Sequence, residues 1–363
     1  MTKFRWGVFG TGAISTKFLA GLAQAKNAEA SFIASRSLKS AQRFADGVGV
    51  ARAIEGYTAA VQDADVDAIY IATPPSEHAK HALLCIEAGI PVLVEKPFAL
   101  NAEEARRVAD AARANSVFAM EAMWTRFLPA AQALRERVAS EELGDIRFVT
   151  GNFGISVAPD IENTMYDSNL GQGALSHLAP YPLSLSQWLF GAPVDVQAVG
   201  RIGETGVVED AAVHATFSNG VIGSFFVSMR AWAPDHFQVL GAQGMLSLRG
   251  SVVRPYGVDV SSQSPVGYER PRFDFRERFR QNGFVHFLAQ RLGKSSRSGS
   301  TADFHYYRGN GYHYEMDEVR DCVMRGETES QIMPLDDSVA VAAFLDEVLL
   351  AVKSDRHKEI DAV

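Results

Sequence analysis

The stretch Phe4-Arg-Trp-Gly-Val-Phe-Gly10-Thr-Gly12-Ala-Ile-Ser15 decides how the rest of the chain is read. Phe4–Phe9 is an apolar run of strand length, and Ala13–Ala25 then carries a helical pattern. The two glycines therefore fall on a strand-to-helix turn. Gly10 permits a tight turn, and Gly12 lets the backbone approach a pyrophosphate seated at the helix N-terminus. Ala13 and Ile14 continue the same loop, and Ser15 stands where the usual fingerprint has its third glycine. Ser15 is still small enough for close helix–strand contact. Two glycines alone mark only a turn, but at the head of a series of βαβ units they mark a dinucleotide site.

Such a series follows. Ala30–Ser35, Ala68–Ala72, Val92–Glu95 and Phe118–Ala122 read as strands, and Leu38–Gly47, Ser76–Ala88 and Ala102–Asn115 as helices between them. Strands separated by helices of this length imply parallel crossovers, hence a doubly wound α/β Rossmann sheet over residues 1–123. After Trp124 the character changes. One helix, Pro129–Ala139, leads into Ile146–Phe153, Val194–Arg201, Ala211–Phe217, Val221–Val227 and Phe237–Leu240, and the pattern continues through Leu246–Leu248 and Val252–Pro255. Their alternation predicts an α+β domain over residues 124–363 with a large, mostly antiparallel open sheet. Helical pattern returns at His313–Met324 and Leu335–Lys353.

With 363 residues, two domains are expected. Thirty-five Lys and Arg against 43 Asp and Glu, a net charge of −8, argue against a nucleic-acid partner, which needs clustered excess basic charge. No run reaches the roughly 18 apolar residues of a membrane span, and no leader pattern precedes the first strand, so a cytoplasmic protein is expected. Cys85 and Cys322 lack metal-type spacing and read as reduced structural thiols, and no metal site is expected.

Two further segments carry chemistry. Ala34-Ser35-Arg36-Ser37 ends the second strand, where a site for NAD usually places a carboxylate for the ribose 2′-hydroxyl. Here Arg36, with Ser35, Ser37 and Lys39, suits a 2′-phosphate, which favours NADP over NAD; the alternative is a solvated surface charge. Ala72-Thr73-Pro74-Pro75-Ser-Glu-His78 and Val94-Glu95-Lys96-Pro97 each leave a strand at the carboxyl edge, where open α/β sheets bind ligands. A lysine emerging there from a buried strand is placed to be partly desolvated and to polarise a hydroxyl oxygen; a snorkelling lysine is the bland alternative.

The glycine turn, Thr73-Pro74-Pro75 with His78, Glu95-Lys96-Pro97 and a Gly-rich segment ending in Tyr181 resemble the glucose–fructose oxidoreductase / inositol dehydrogenase (Gfo/Idh/MocA) family over nearly the whole chain. Glu121-Ala-Met-Trp124-Thr-Arg126-Phe127-Leu-Pro129 looks like the branch holding dimeric dihydrodiol dehydrogenase and NADP-dependent D-xylose dehydrogenase. Gly144-Asp-Ile-Arg147, Phe153-Gly154, Ala198-Val-Gly-Arg201 and Glu204-Thr-Gly206 add to that likeness. The resemblance implies Lys96 as the active-site lysine and Tyr181 as the catalytic acid/base. It also implies reversible hydride transfer between nicotinamide and a carbinol carbon of a sugar, polyol or cyclic diol. Gly10, Gly12, Ala13, Ile14, Ser35, Arg36, Ser37, Thr73, Pro74, His78, Glu95 and Lys96 are the expected cofactor contacts. His177, Trp124, Arg147, Phe153 and Arg201 are the candidate substrate contacts.

In Gly171-Gln172-Gly-Ala-Leu-Ser-His177-Leu-Ala179-Pro-Tyr181 this chain departs from the family pattern, with Gln172 for a glycine, His177 for an aspartate and Ala179 for a glycine. On one helix His177 and Tyr181 would share a face. The other departure is the arginine-rich, aromatic-interleaved stretch Glu269–Arg308, read as an embellished surface loop or an oligomer contact, or else as a lid over the active site or a site for an acidic or phosphorylated ligand. An open sheet with an apolar face predicts a homodimer. Two alternatives differ in class: a non-catalytic NAD(P)-binding sensor, and a glycosidase that uses the dinucleotide transiently.

Overall fold

The computed structural model describes residues 3–63, 65–160, 162–262 and 300–361. Its first sheet is six parallel strands in the order β3-β2-β1-β4-β5-β6. These are β1 (Phe4–Phe9), β2 (Ala28–Ser35), β3 (Ala53–Glu55), β4 (Ala68–Ile71), β5 (Val92–Glu95) and β6 (Ala119–Ala122). The strand order reverses between β1 and β4, and the crevice that such a switch point opens lies outside the strands' carboxyl ends. Helices α1 (Ala13–Leu22), α2 (Leu38–Val48), α3 (Tyr57–Gln62), α4 (His78–Glu87) and α5 (Ala102–Asn115) form the crossovers. Trp6, Val8, Ile33, Tyr70 and Leu93 are inaccessible, as central parallel strands covered on both faces must be.

The sequence reading missed β3 and α3. A three-residue strand and a six-residue helix are too short for a period of 2 or 3.6 to repeat.

A 3₁₀ turn (Trp124–Phe127) and α6 (Pro129–Ala139) lead to an eight-stranded sheet of order β14-β13-β12-β11-β7-β10-β9-β8. Its strands are β7 (Ile146–Gly154), β8 (Pro193–Ile202), β9 (Val208–Phe217), β10 (Ile222–Ser228), β11 (Phe237–Gly241), β12 (Gly244–Ser251), β13 (Arg254–Ser262) and β14 (Ser300–Phe304). All neighbours are antiparallel except β7 and β10. The inner face carries Val149, Val213, Phe225 and Phe237, all buried, and α8 (Pro180–Phe190) lies against it. The outer face exposes Phe148, Val199, Ile222 and Phe226.

The C-terminal helices α9 (His313–Arg325) and α10 (Leu335–Asp361) return to the first sheet's surroundings. Leu335, Val339 and Ala342 of α10 sit in the same apolar cluster as Phe9, Ile71 and Val94. Arg126 fastens this arrangement. Fully buried, it donates from Nε to Ser184 Oγ (2.9 Å) and from Nη2 to Ser184 O (2.8 Å), and it pairs with Asp337 of α10. Within the arginine-rich stretch, 269–299 lies outside the described residues. Its end forms β14, where Asp303 accepts from Arg137 at 3.1 Å. Cys85 and Cys322 are buried, free thiols. Among the described residues no helix is long and apolar enough to cross a membrane.

Candidate active site

A cleft of about 610 Å³ lies where the carboxyl edge of the first sheet meets the inner side of the second unit. The β1–α1 loop forms its floor with Gly10, Gly12, Ala13 and Ile14. Gly10 has φ +104°, and a Cβ there would stand 2.5 Å from the Ala72 carbonyl oxygen, so only glycine lets β1 and β4 leave the sheet side by side. At Gly12 a Cβ would meet nothing within 4 Å. The space it would enter borders the cleft, so the backbone there is bare for a close-lying ligand. Ser15 does more than replace a small residue: its hydroxyl donates to Gly10 O at 3.0 Å and closes the loop on itself. A bare loop at the start of a helix fits the pyrophosphate of a dinucleotide. Ser35 and Arg36 line the end of the cleft at β2, and the Arg36 guanidinium has no ion-pair partner among the described residues.

Thr73, Pro74 and His78 follow β4 along the wall. Both His78 nitrogens face carbonyl oxygens, Nδ1 that of Pro97 (2.7 Å) and Nε2 that of Thr73 (2.8 Å). Burial holds the imidazole pKa below its usual value, so one nitrogen donates at a time. His78 thus ties the β4 and β5 loops together with its polar atoms already occupied.

Opposite the β2 end, Glu95 and Lys96 meet His177 and Tyr181. Lys96 Nζ donates to His177 O at 2.9 Å and lies 5.0 Å from the centre of the Tyr181 ring. Burial lowers the Lys96 pKa to about 8, against the opposing pull of Glu95 and Glu121. Burial raises the Tyr181 phenol, and the Glu95 charge adds to the effect. Burial also brings His177 down to about 3, helped by the Lys96 charge, so its imidazole is neutral. Glu95 is spoken for: it accepts from the Tyr70 hydroxyl and, at 3.2 Å, from the Lys96 backbone N–H. Phe153, on the inner face of β7, meets the Tyr181 ring edge-to-face at 5.6 Å.

Most of the sequence-predicted residues meet in this cleft, but not all. Arg147 is exposed and pairs with Asp145 at 2.8 Å. Arg201, its side chain 85% exposed, faces outward on β8 beside Val199, with Asp210 at 3.9 Å. Strand alternation explains this: residues on β8 two apart share a face, and the outer face is the one away from the cleft. Trp124 is buried and stacks on Tyr312 at 4.6 Å, and Ser37 takes the N-cap position of α2 with no side-chain hydrogen bond there; neither lines the cleft, and Phe153 backs the Tyr181 ring rather than lining it. His177 and Tyr181 do not share one helix. His177 ends α7 (Ala174–His177) and Tyr181 opens α8, because Pro180 and Pro182 lack N–H donors and the ring of Pro180 obstructs the carbonyl four residues back. Tertiary contact rather than helical phase brings them together.

Lys17, Tyr57, Thr164, Met165 and Leu170 also line the cleft and carried no sequence signal. Lys17 lies one turn into the helix that the glycine loop opens, but no local pattern marks its side chain as facing the cleft.

Residues 4–123 match the family model described as GFO_IDH_MocA, an oxidoreductase family with an NAD-binding Rossmann fold, and residues 131–247 match the GFO/IDH/MocA C-terminal domain. The chain is 34% identical over 361 residues to a trans-1,2-dihydrobenzene-1,2-diol dehydrogenase of Bos taurus, covering 97% of this chain and 99% of that one. It is 32% identical over 352 residues to the enzyme of the same name from Mus musculus, covering 96% of each. Among solved structures, a 3-ketoreductase from Actinomadura kijaniata in complex with NADP and TDP-benzene superposes with TM-score 0.79 at 22% identity, covering 96% of this chain and 98% of that one. A levoglucosan dehydrogenase in complex with NADH and levoglucosan superposes with TM-score 0.81 at 18% identity, covering 97% and 98%. With the glycine loop, the Glu95-Lys96-Pro97 corner and both family units in place, the chain belongs to the GFO/IDH/MocA family of oxidoreductases.

Proposed function

We propose that this oxidoreductase interconverts a carbinol and a carbonyl on a sugar, polyol or cyclic diol, with NADP as the preferred cofactor and Lys96 and Tyr181 as the catalytic pair. The observation that carries the reading is the Lys96 ammonium held between the His177 carbonyl and the Tyr181 ring inside a cleft fit for a dinucleotide. Bound nicotinamide supplies the hydride acceptor or donor. Tyr181, whose phenol stays protonated at neutral pH, gives a proton to a carbonyl oxygen during reduction and takes one from the hydroxyl during oxidation. Lys96 stabilises negative charge on that oxygen and on the tyrosine. The His177 carbonyl fixes the ammonium, and the edge-to-face contact with the partly buried Phe153 fixes the ring, which limits the motion of both groups. The Arg36 guanidinium at the end of β2, without an ion-pair partner among the described residues, supports the preference for a 2′-phosphate.

Incubation with aldoses, polyols and dihydrodiols while nicotinamide absorbance is followed tests the reaction class. Turnover of at least one of them is expected. Cofactor binding with no turnover across the panel would favour a sensor instead, and sugar release at constant absorbance would favour a glycosidase.

The outer face of the second sheet supports a homodimer. Val199 pairs in register with Ala212 and Ala212 with Phe226, while Ile222 pairs with Phe148, so the exposed apolar side chains form a continuous patch. Light scattering should report twice the chain mass, and Phe226→Lys should lower it to that of a single chain.

A further inference from the structure

Among the described residues, the cleft holds one cation at its catalytic end that the proposed hydride transfer does not use. Lys17 lines the cleft from α1, one turn beyond the glycine loop. Helical side chains lean back towards the helix N-terminus, which here is the cleft side. Its main chain is fixed, since Asn310 Nδ2 donates to Lys17 O at 2.7 Å. Its side chain is exposed, and the ammonium makes no hydrogen bond or ion pair among the described residues. It is nonetheless close enough to act electrostatically on both Glu95 and Lys96.

The other charges near it are committed. Glu95 is the only carboxylate lining the cleft among the described residues, and Tyr70 and the Lys96 N–H occupy it. Lys96 is engaged with His177 O and Tyr181. His177 adds no negative charge. The dinucleotide's own phosphates have partners elsewhere: the open backbone at Gly12, where α1 begins, and Arg36 at the opposite end. Among the described residues the Lys17 ammonium has no partner of its own, and Glu95, the one carboxylate in the lining, is held by two donors and faces the Lys96 charge as well, so Lys17 is a binding group awaiting an anion.

We propose that Lys17 is a substrate subsite that pairs with an anionic group, carboxylate or phosphate, so that the preferred substrates are anionic carbohydrates rather than neutral sugars. This rests on the dehydrogenase reading above, and binding separates the two. Calorimetry on the NADP⁺ complex would compare glucose, gluconate, glucuronate and glucose 6-phosphate, with wild type, Lys17→Met and Lys17→Arg. NADPH affinity would be measured alongside by fluorescence. The expected result is tighter binding of a carboxylate-bearing or phosphate-bearing member than of glucose by about 10-fold, a preference lost in Lys17→Met and regained in Lys17→Arg. Whether gluconate and glucuronate or glucose 6-phosphate gains more tells the carboxylate from the phosphate. Equal binding of glucose and all three anions overturns the proposal. So does a Lys17→Met variant that weakens NADPH as much as it weakens the anion, because Lys17 then serves the cofactor. Anion binding that follows Lys17 without any turnover leaves the subsite standing and removes the dehydrogenase reading.

Discussion

At the scale of single residues, the site depends on keeping a lysine charged where burial works against the charge. The Lys96 ammonium exists below its pKa of about 8 and is lost above it. In the proposed reaction, carbonyl reduction needs both that cation and the Tyr181 proton, so kcat/KM for reduction should hold steady through neutral pH and fall above about 8. In Lys96→Met that falling limb should vanish, with activity down by about 10²–10⁴-fold; Tyr181→Phe should lose a similar factor. Near-wild-type turnover in both variants would rule out the proposed pair. At the other end of the cleft, Arg36→Ala should weaken NADPH by about 10-fold while leaving NADH nearly unchanged, as paired dissociation constants would show. Lys96, Tyr181 and Arg36 were all visible in the sequence because each sits at a fixed offset from a strand end or a glycine motif. Lys17 and Tyr57 were not, because no local pattern tells a cleft-facing side chain from a solvated one.

At the scale of elements, the β1–α1 loop separates two uses of glycine. A methyl group at Gly10 would collide with Ala72 O at 2.5 Å and require a side chain at φ +104°, so Gly10→Ala should destabilise the fold by about 1–3 kcal/mol. Gly12 has extended backbone and open space around its would-be Cβ. Gly12→Ala should therefore leave the melting temperature unchanged while weakening NADPH by about 10-fold or more, since the methyl stands where a pyrophosphate approaches. Equal loss of stability in the two variants would contradict this division. Strands and helices of ordinary length were legible, with β1, β5, α5 and α6 read to the residue. The break between α7 and α8 was not read, although Pro180 and Pro182 announce it. The spacing of four residues between His177 and Tyr181 suggested one helix, and backbone donors decided otherwise.

At the scale of the whole molecule, the placement of α8, and with it Tyr181, depends on contacts distant in sequence. Arg126 holds Ser184 of α8 and Asp337 of α10 from the turn that follows the first sheet, and its guanidinium lies 5.6 Å from the centre of the Trp188 ring. Arg126→Met leaves the Ser184 carbonyl and Asp337 without their partner. It should cost about 3 kcal/mol in urea unfolding and lower kcat through displacement of Tyr181. A loss under about 1 kcal/mol would show that α8 is held by apolar contact alone. The same scale explains Arg201: alternation along β8 is clear in the sequence, but which parity faces the cleft is settled only when α8 covers one side of the sheet. Arg147 has the inner parity of Val149 and Phe153, but it sits at the start of β7 beside the register shift against Leu240 and Gly241, where its side chain reaches solvent and Asp145.

The sequence by itself determined the parallel first sheet, the glycine loop and the lysine corner, because these follow from local period, local backbone freedom and fixed offsets from strand ends. Only the tertiary structure decided which face of the second sheet looks inward and how α10 returns to the first sheet. It alone also placed Lys17, which has no ion pair among the described residues, in the same cleft as Lys96. Those facts depend on desolvation and on contacts between segments up to hundreds of residues apart, and no window of sequence contains them.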